Sequence, residues 1–402
     1  MDELQHGWTA VIVNYNGAGY IEACLLALER SIVPPRDVIV VDNASSDDSL
    51  MELNGFPRVN VIAEPVNRGF AGGANVGLAA VETTCALLLN PDVEVEADLG
   101  QRLVEAFSRD QRLGAIGPLL LYPDTGLVQH AGGVVEWPLM TTRHLLYREA
   151  VPDTLTECDV DFVTGGAMGL RTEAVRAIGG VNEHYSPVYY EDVDLCFRLR
   201  DAGWRVRFDP SLRAQHHEGV TLEHSTNYYR HLHRNRLRFA LDHLSPDEWR
   251  QQFVPAEMVR MTHELATLSD DAIERSGAGA IELLLRGLDG TSAWETQSTL
   301  PDAPFSRMID PLEDLRSRQH VALPSGSGGL IGKVWDKAQR QVISSLNRAL
   351  NDQRAFNSAV VVAFEQQDRI NREQTAAVLL LALDLLGRLR SDGLERDAQR
   401  AE

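Results

Sequence analysis

Three acids within four positions, Glu191, Asp192 and Asp194, follow Tyr189 and Tyr190 and enter an arginine-bearing amphipathic run that reaches Arg200. Adjacent carboxylates disfavour each other's ionisation, so the arrangement carries a cost. A cost of that kind points to proton transfer or cation binding. On a loop-to-helix junction, Glu191 and Asp192 would face a cleft while Val193, Leu195 and Phe197 turn inward. The plainer alternative is an acidic first turn favoured by the helix dipole.

A second acid follows an apolar run in Leu88-Leu89-Asn90-Pro91-Asp92-Val93. There Asp92 would reach a cleft as a hard oxygen ligand for Mg2+ or Mn2+, which would in turn hold a diphosphate. A plain proline turn explains the same residues. Gln215-His216-His217 follows the strand-like Arg205-Val206-Arg207-Phe208, so His216 could complete the metal shell, although the chain holds 12 histidines and one alone is more often structural. Asp42, after another apolar run, could accept hydrogen bonds from a ribose or a base edge; Asp42-Asn43-Ala44-Ser45 is equally a good helix cap. The run from Asn67 to Gly77, with Arg68, Gly69, Phe70, Gly73 and Asn75, is glycine-rich and enters a helix, where backbone approaches a phosphate closely. It is neither a P-loop nor a dinucleotide fingerprint, and a tight helix–sheet contact is its alternative. Arg230, Arg234, Arg236 and Arg238, interleaved with aromatics and histidines, read either as phosphate contacts or as a solvated helix face.

The elements that must position these groups alternate. Thr9–Val13, Asp37–Val41, Val59–Ile62 and Ala86–Leu89 read as strands, Tyr20–Arg30 and about Gly72–Val81 as helices. Continuous apolar strands separated by helices imply a parallel sheet covered on both faces. Ligands of such sheets bind beyond the carboxyl ends of the strands, so the loops starting at Asn14, Asp42 and Asn90 should share one cleft. The middle, to His217, mixes short strands with glycine pairs. Tyr228–Leu241 reads as a basic, aromatic helix, 246–297 as a helical extension, 298–329 as a Pro/Ser/Gly-rich linker and 330–402 as a helical tail.

At 402 residues the chain needs more than one ordinary core. Its formal net charge of −20 argues against a general nucleic-acid binder. Four scattered cysteines fit a reducing compartment. No basic region followed by an apolar run opens the chain, and the apolar run Ala376–Leu386 is too short to span a bilayer. A cytoplasmic protein is expected. The tail carries apolar stripes that suit packing, self-association into a homo-oligomer, or an interfacial helix on anionic lipid, with packing the favoured reading.

Taken together, residues 7–245 resemble the inverting, nucleotide-sugar-dependent glycosyltransferases of family 2, in their rhamnosyltransferase-type branch. The resemblance rests on Val13-Asn14-Tyr15-Asn16, Val41-Asp42-Asn43-Ala44-Ser45, the Asn67–Gly77 loop, Asn90-Pro91-Asp92, Thr164-Gly165-Gly166-Ala167, Glu191-Asp192-Val193-Asp194-Leu195 and His216. It implies a GT-A domain over residues 1–245, an α/β fold with a Rossmann-like mixed sheet flanked by helices, followed by the mostly helical C-terminal region. The implied donor is a nucleotide sugar, with dTDP-rhamnose favoured over UDP-linked sugars. The implied acceptor is a saccharide or lipid-linked saccharide of cell-surface polysaccharide synthesis, which brings peripheral contact with the inner face of the cell membrane.

Asp42, Asn43 and the Asn14–Asn16 loop would hold the base and ribose. Arg68, Gly69, Phe70, Gly73 and Asn75 would line the nucleotide pocket, with Asn90 beside them. Asp92 would bind Mg2+ or Mn2+, with His216 as a second ligand. Asp192 would be the general base, supported by Glu191, and Thr164, Gly165 and Gly166 would border the acceptor. Asn90 stands where the family's metal motif has its first acid, so the shell holds one fewer charge and tight metal binding without nucleotide is not expected. Asn182 likewise replaces the usual aspartate in the acceptor segment 179–183. Two other readings stay open: a sugar-binding scaffold that has lost catalysis, and a nucleotidyltransferase, which would show a basic glycine-rich loop after the first strand.

Overall fold

The computed structural model describes residues 7–217, 226–257 and 259–260. The chain divides into two compact units at Glu223/His224, upstream of the boundary expected at 245. In the first unit the strands are β1 (Trp8–Asn14), β2 (Asp37–Asp42), β3 (Val59–Ala63), β4 (Cys85–Leu89), β5 (Val93–Val95), β6 (Leu113–Leu121), β7 (Val128–His130), β8 (Gly133–Glu136), β9 (Thr141–His144), β10 (Cys158–Asp159), β11 (Ala167–Arg171) and β12 (Arg205–His216). Its helices are α1 (Ile21–Glu29), α2 (Ser49–Glu52), α3 (Gly69–Ala79), α4 (Leu99–Arg109), α5 (Thr172–Ala177) and α6 (Glu191–Asp201).

The main sheet runs β10-β12-β6-β11-β4-β1-β2-β3, with β5 on β12 and β7 on β6. The four strands expected from apolar runs form its parallel half, in the order β4-β1-β2-β3. β1 is buried along its whole length and β4 likewise, whereas β3 is the edge strand and is partly or fully exposed at every position. β11 runs antiparallel between β4 and β6, and β12 is parallel to β6, so the sheet is mixed and Rossmann-like, as the resemblance implied.

The registers collect the chemistry on one sheet edge. Asn14 pairs with Asp42 at the ends of β1 and β2, and Ile12 with Leu89 just before Asn90. Ala167, which opens β11 directly after Gly165-Gly166, pairs with the same Leu89. His216 closes β12 and pairs with Val93 of β5, one residue after Asp92. The loops starting at Asn14, Asp42 and Asn90 therefore do share an edge.

The core beneath that edge is built from Trp8, Ile12, Leu25, Leu28, Leu87, Leu89, Leu103 and Leu120, all nearly solvent-free. On α1 the predicted face of Ile21, Cys24, Leu25 and Leu28 is the buried one. The glycines of α3 sit inside the helix, where each costs about 1 kcal/mol relative to alanine. Close approach explains two of them: a Cβ on Gly73 would lie 2.7 Å from Val13 Cγ1, and one on Gly77 2.4 Å from Val11 Cγ1.

The second unit contains α7 (Thr226–His243), the predicted basic helix. Arg234, Arg236 and Arg238 are neither free phosphate contacts nor a solvated face. Arg234 and Arg236 are buried, Arg236 pairs with Glu257, and Arg238 pairs with Asp242 at 2.8 Å. Glu257 also binds Arg260, and these cations hold its carboxyl down at about 2 against the opposing effect of burial. The Arg230 side chain, Glu218, Gly219, most of the extension expected at 246–297, the linker 298–329 and the tail 330–402 lie outside the described residues. Among the described residues no helix is long and apolar enough to cross a membrane.

Candidate active site

The loops after β1 and β2 are stitched into one unit. Asn14 Nδ2 lies 2.9 Å from Asp42 Oδ1, 3.1 Å from Ser45 Oγ and 3.0 Å from Ser49 Oγ. Asp42 Oδ2 accepts from the Ser45 backbone N–H, and Asn16 Oδ1 accepts from that of Ser46. Asp42 is only 1 % exposed, so its carboxylate is committed to shaping this loop. Asn43, 2 % exposed, clamps the next loop: its amide donates to Asn67 Oδ1 and the Gly69 carbonyl, and accepts from the Arg68 N–H.

The Asn67–Asn75 segment divides into two kinds of residue. Gly69 takes a left-handed φ of 72°, and a Cβ there would meet Ser186 Oγ at 2.4 Å and the Pro187 backbone. Phe70 donates its N–H to the Pro187 carbonyl at 2.8 Å, and its ring lies against Gly165, where a Cβ would approach to 3.0 Å. Arg68 reaches Glu64 and Glu183 at 3.7 and 3.5 Å. These three border the cleft edge. Gly73 and Asn75, expected in the pocket, are used for packing. Gly73 meets Val13, and the Asn75 amide pairs with both the N–H and the carbonyl of Val181 while donating to Glu183 Oε1. A short polar side chain beside a second chain segment satisfies that segment's backbone, as a strand would.

Asp92 and His216 meet. Asp92 Oδ1 is 3.1 Å from His216 Nε2, sealed from solvent, and receives no hydrogen bond. His216 Nδ1 lies 2.7 Å from Oε1 of the buried Gln129. An amide oxygen only accepts, so His216 carries a proton on Nδ1, and in the neutral ring Nε2 turns a lone pair toward Asp92. Two lone-pair atoms at that distance call for a cation, either a second proton on the ring or a metal. Their separation is close to the ~3 Å between neighbouring ligands of an octahedral ion with bonds of about 2.1 Å. The Gln129 contact is the outer hydrogen bond that orients a metal-ligating histidine. The donor set thus fits Mg2+ or Mn2+. Among the described residues no group of three or more His, Cys, Asp or Glu side chains could hold a metal ion, so a cation here would have Asp92 and His216 as its ligands from that set. His217 faces away, on Glu94 at 3.0 Å, and Asn90 Nδ2 lies 3.5 Å from His216 Nε2.

The second acidic centre begins α6. Tyr189 and Tyr190 both take left-handed φ values, 80° and 71°, a strained entry costing about 1–3 kcal/mol per residue. Tyr190 is anchored by its hydroxyl to the Met140 carbonyl at 2.8 Å. Asp192 Oδ2 accepts from Gly165 N–H at 2.9 Å and Oδ1 from Val193 N–H at 2.8 Å. Burial raises the Asp192 carboxyl above its ordinary value, while those N–H groups and His144 pull the other way. Glu191 is 5 % exposed with Oε2 unpartnered; burial, then the Asp192 charge, hold it well above the carboxylate range. Asp194 turns away from this pair and binds Arg198 at 2.7 Å, whose guanidinium also donates to the Ile178 and Gly180 carbonyls.

Gly165 and Gly166 join the two centres. Gly165 touches Phe70 and Asp192, and a Cβ on Gly166 would lie 3.2 Å from His216 Cε1. Thr164 Oγ1 accepts from the Gly166 N–H at 3.3 Å. A carboxylate on a helix N-terminus and a carboxylate–imidazole pair therefore flank one glycine pair on one sheet edge.

The Glycosyl transferase family 2 model matches residues 9–179, from β1 through α5. Residues 9–179 thus form a glycosyl transferase family 2 domain. It is a glycosyltransferase of the rhamnosyltransferase-like kind. Among curated relatives, an N-acetylglucosaminyl-diphospho-decaprenol L-rhamnosyltransferase of Mycobacterium tuberculosis is 28 % identical over 241 residues, covering 54 % of this chain and 76 % of its own. Rhamnosyltransferase WbbL of Escherichia coli is 24 % identical over 221 residues, covering 52 % of this chain and 82 % of its own. A solved structure described as GalNAc-T7 with UDP, GalNAc and Mn2+ is 18 % identical with a TM-score of 0.45, covering 57 % of this glycosyltransferase and 48 % of that chain.

The family match ends before Glu191, Asp192 and His216, so their roles rest on their own geometry. Sequence reasoning missed Gln129, His130 and His144 in this glycosyltransferase. The visible signal was Gln129-His130, two polar residues in an otherwise apolar stretch before Gly132-Gly133.

Proposed function

We propose that this glycosyltransferase moves rhamnose from dTDP-rhamnose, with inversion at the anomeric carbon, to a saccharide or lipid-linked saccharide in cell-surface polysaccharide synthesis. That both relatives are rhamnosyltransferases supports the sugar, and the diphospho-decaprenol acceptor of the Mycobacterium tuberculosis relative supports a lipid-linked acceptor. The observation that carries the mechanism is the pairing of Asp192 and Asp92–His216 across Gly165-Gly166. One carboxylate serves the attacking oxygen and the other serves the departing phosphate.

In this reading Asp192 accepts the acceptor hydroxyl's proton as that oxygen attacks the anomeric carbon in line with the breaking bond. The Gly165 and Val193 N–H groups hold the carboxylate in one orientation and offset part of the burial that raises its pKa. Burial and the Asp192 charge favour a proton on Glu191, which leaves the charge of the adjacent pair on Asp192. Asp92 and His216 would hold Mg2+ or Mn2+, which supplies charge stabilisation to the departing nucleoside diphosphate. The Asn14, Asp42 and Asn43 loops, with Arg68, Gly69 and Phe70, form the donor side; Thr164, Gly165 and Gly166 form the acceptor side. Contact with the inner membrane face would follow from a lipid-linked acceptor.

The test is a donor screen that varies base and sugar independently against a lipid-linked saccharide acceptor. Transfer from dTDP-rhamnose ahead of UDP-linked sugars, with an inverted product by NMR, is expected. Retention of configuration, or turnover undiminished by a chelator, would overturn the mechanism.

A further inference from the structure

Two imidazoles with no part in the donor, acceptor or metal contacts stand behind Asp192. His130, on β7, is fully buried, and its Nδ1 lies 3.0 Å from Nδ1 of His144, at the end of β9. Their rings meet edge-on with centroids 4.7 Å apart, and Phe162 packs on both. Thr164 donates its backbone N–H to His130 Nε2 at 3.3 Å.

These contacts settle the proton positions. A backbone N–H only donates, so His130 Nε2 bears the lone pair and the neutral ring carries its proton on Nδ1. That proton is the one shared with His144, whose Nδ1 must then accept. His144 is therefore the Nε2–H tautomer. Burial, then His144 itself, push His130 well below its ordinary pKa, which keeps it in the neutral form this arrangement needs. A further proton on His144 Nδ1 would remove the acceptor for His130, and one on His130 Nε2 would remove the acceptor for Thr164.

The chain reaches the base through one peptide. Thr164 is held by His130, and the next N–H, that of Gly165, binds Asp192 Oδ2. β7 serves both halves of the site: Gln129 orients His216, and its neighbour His130 orients His144, as consecutive strand residues point to opposite faces.

We infer that His130 and His144 are positioning residues that act through Asp192: His144 holds one tautomer of His130, and His130 fixes the Thr164–Gly165 backbone whose next N–H binds the carboxylate. This inference rests on the reading of Asp192 as the base. The other groups facing these residues are Glu191 and Cys196 for Asp192, and Tyr147 and Phe162 for His144.

The experiment uses the full-length protein. His144→Phe keeps a ring against Phe162 and Tyr147 but removes both nitrogens; His144→Asn restores an acceptor oxygen near the Nδ1 position. His144→Phe is expected to lower kcat about tenfold and to move the acid limb of kcat/KM up by about one pH unit, because the Gly165 N–H that favours the Asp192 charge is no longer held in place. Donor KM stays unchanged, and His144→Asn recovers most of the loss. Nitrogen-15 NMR of the histidine-labelled wild type should show Nδ1–H for His130 and Nε2–H for His144. Wild-type kcat with an unmoved acid limb in His144→Phe, or the opposite tautomers, overturns the inference. Should His144→Phe fail to fold, the wild-type tautomers decide. Asp192→Asn separates the two readings: transfer retained in that variant removes the base itself, whereas transfer lost there and kept in His144→Phe removes only this inference.

Discussion

Asp92 and Asp192 are both half-buried aspartates at the rim of the same sheet, yet their surroundings oppose each other. Asp92 turns a sealed oxygen, with no hydrogen bond, toward an imidazole nitrogen. Asp192 has both oxygens satisfied by backbone N–H groups and sits beside a second carboxyl. A carboxylate oxygen whose nearest partner is an imidazole nitrogen is set to share a cation with it. One that is fully hydrogen-bonded, with its pKa raised by burial, is set to take a proton. The difference teaches that the role follows from what satisfies the oxygens, not from residue type or exposure.

Substitutions that strike one centre and spare the other sharpen this contrast. The largest effect is expected from Asp192→Asn, which removes the proton acceptor while keeping an oxygen for the Gly165 N–H. Transfer should fall by about 10²- to 10⁴-fold in a single-turnover assay. At the other centre, Gln129→Leu frees His216 Nδ1 without touching either ligand. Cation affinity, measured by Mn2+ titration in the presence of nucleotide, should weaken by about 10- to 100-fold.

A subtler effect belongs to Glu191. Its folded pKa lies above the unfolded value of 4.5, so the native state holds the extra proton and stability falls as pH rises from about there through the folded pKa. Glu191→Gln, neutral throughout, should be more stable than the parent at pH 7, with the gap in denaturant midpoint shrinking to nothing below the unfolded pKa. A gap that persists at low pH would contradict the assignment. Smallest of all for chemistry is Asn75→Ala. It leaves the Val181 backbone without its partner and should cost about 1–3 kcal/mol in unfolding free energy, with donor affinity changed little.

Much of the sheet was legible because β1, β2 and β4 are unbroken apolar runs, and their ends carry Asn14, Asp42 and Asn90. Asp92 and His216 were legible as a pair because each closes or follows a strand on the same edge. The Asn67–Gly77 run was half legible. Glycine that admits a phosphate and glycine that admits a valine look alike in sequence, and what decides is the long-range neighbour, Val13 for Gly73 and Val181 for Asn75. The α7 arginines failed for a similar reason, since Arg236 is paired by Glu257, 21 positions away in the chain and beyond any helical spacing. His130 and His144 sit on different short strands, and nothing local announces that their nitrogens meet. The tyrosines before α6 were read for their rings, whereas the structure shows that their backbone conformation also matters.

The central claim is that Asp92 acts on the donor through a cation and Asp192 acts on the acceptor through a proton. Calorimetric titration of the nucleotide-sugar donor, with and without Mn2+, into Asp92→Asn and Asp192→Asn tests it most directly. The account predicts that Asp192→Asn keeps wild-type, Mn2+-dependent donor affinity while failing to transfer, and that Asp92→Asn loses the Mn2+ dependence. Equal Mn2+-dependent affinity in both variants, or loss of it in Asp192→Asn alone, would contradict it.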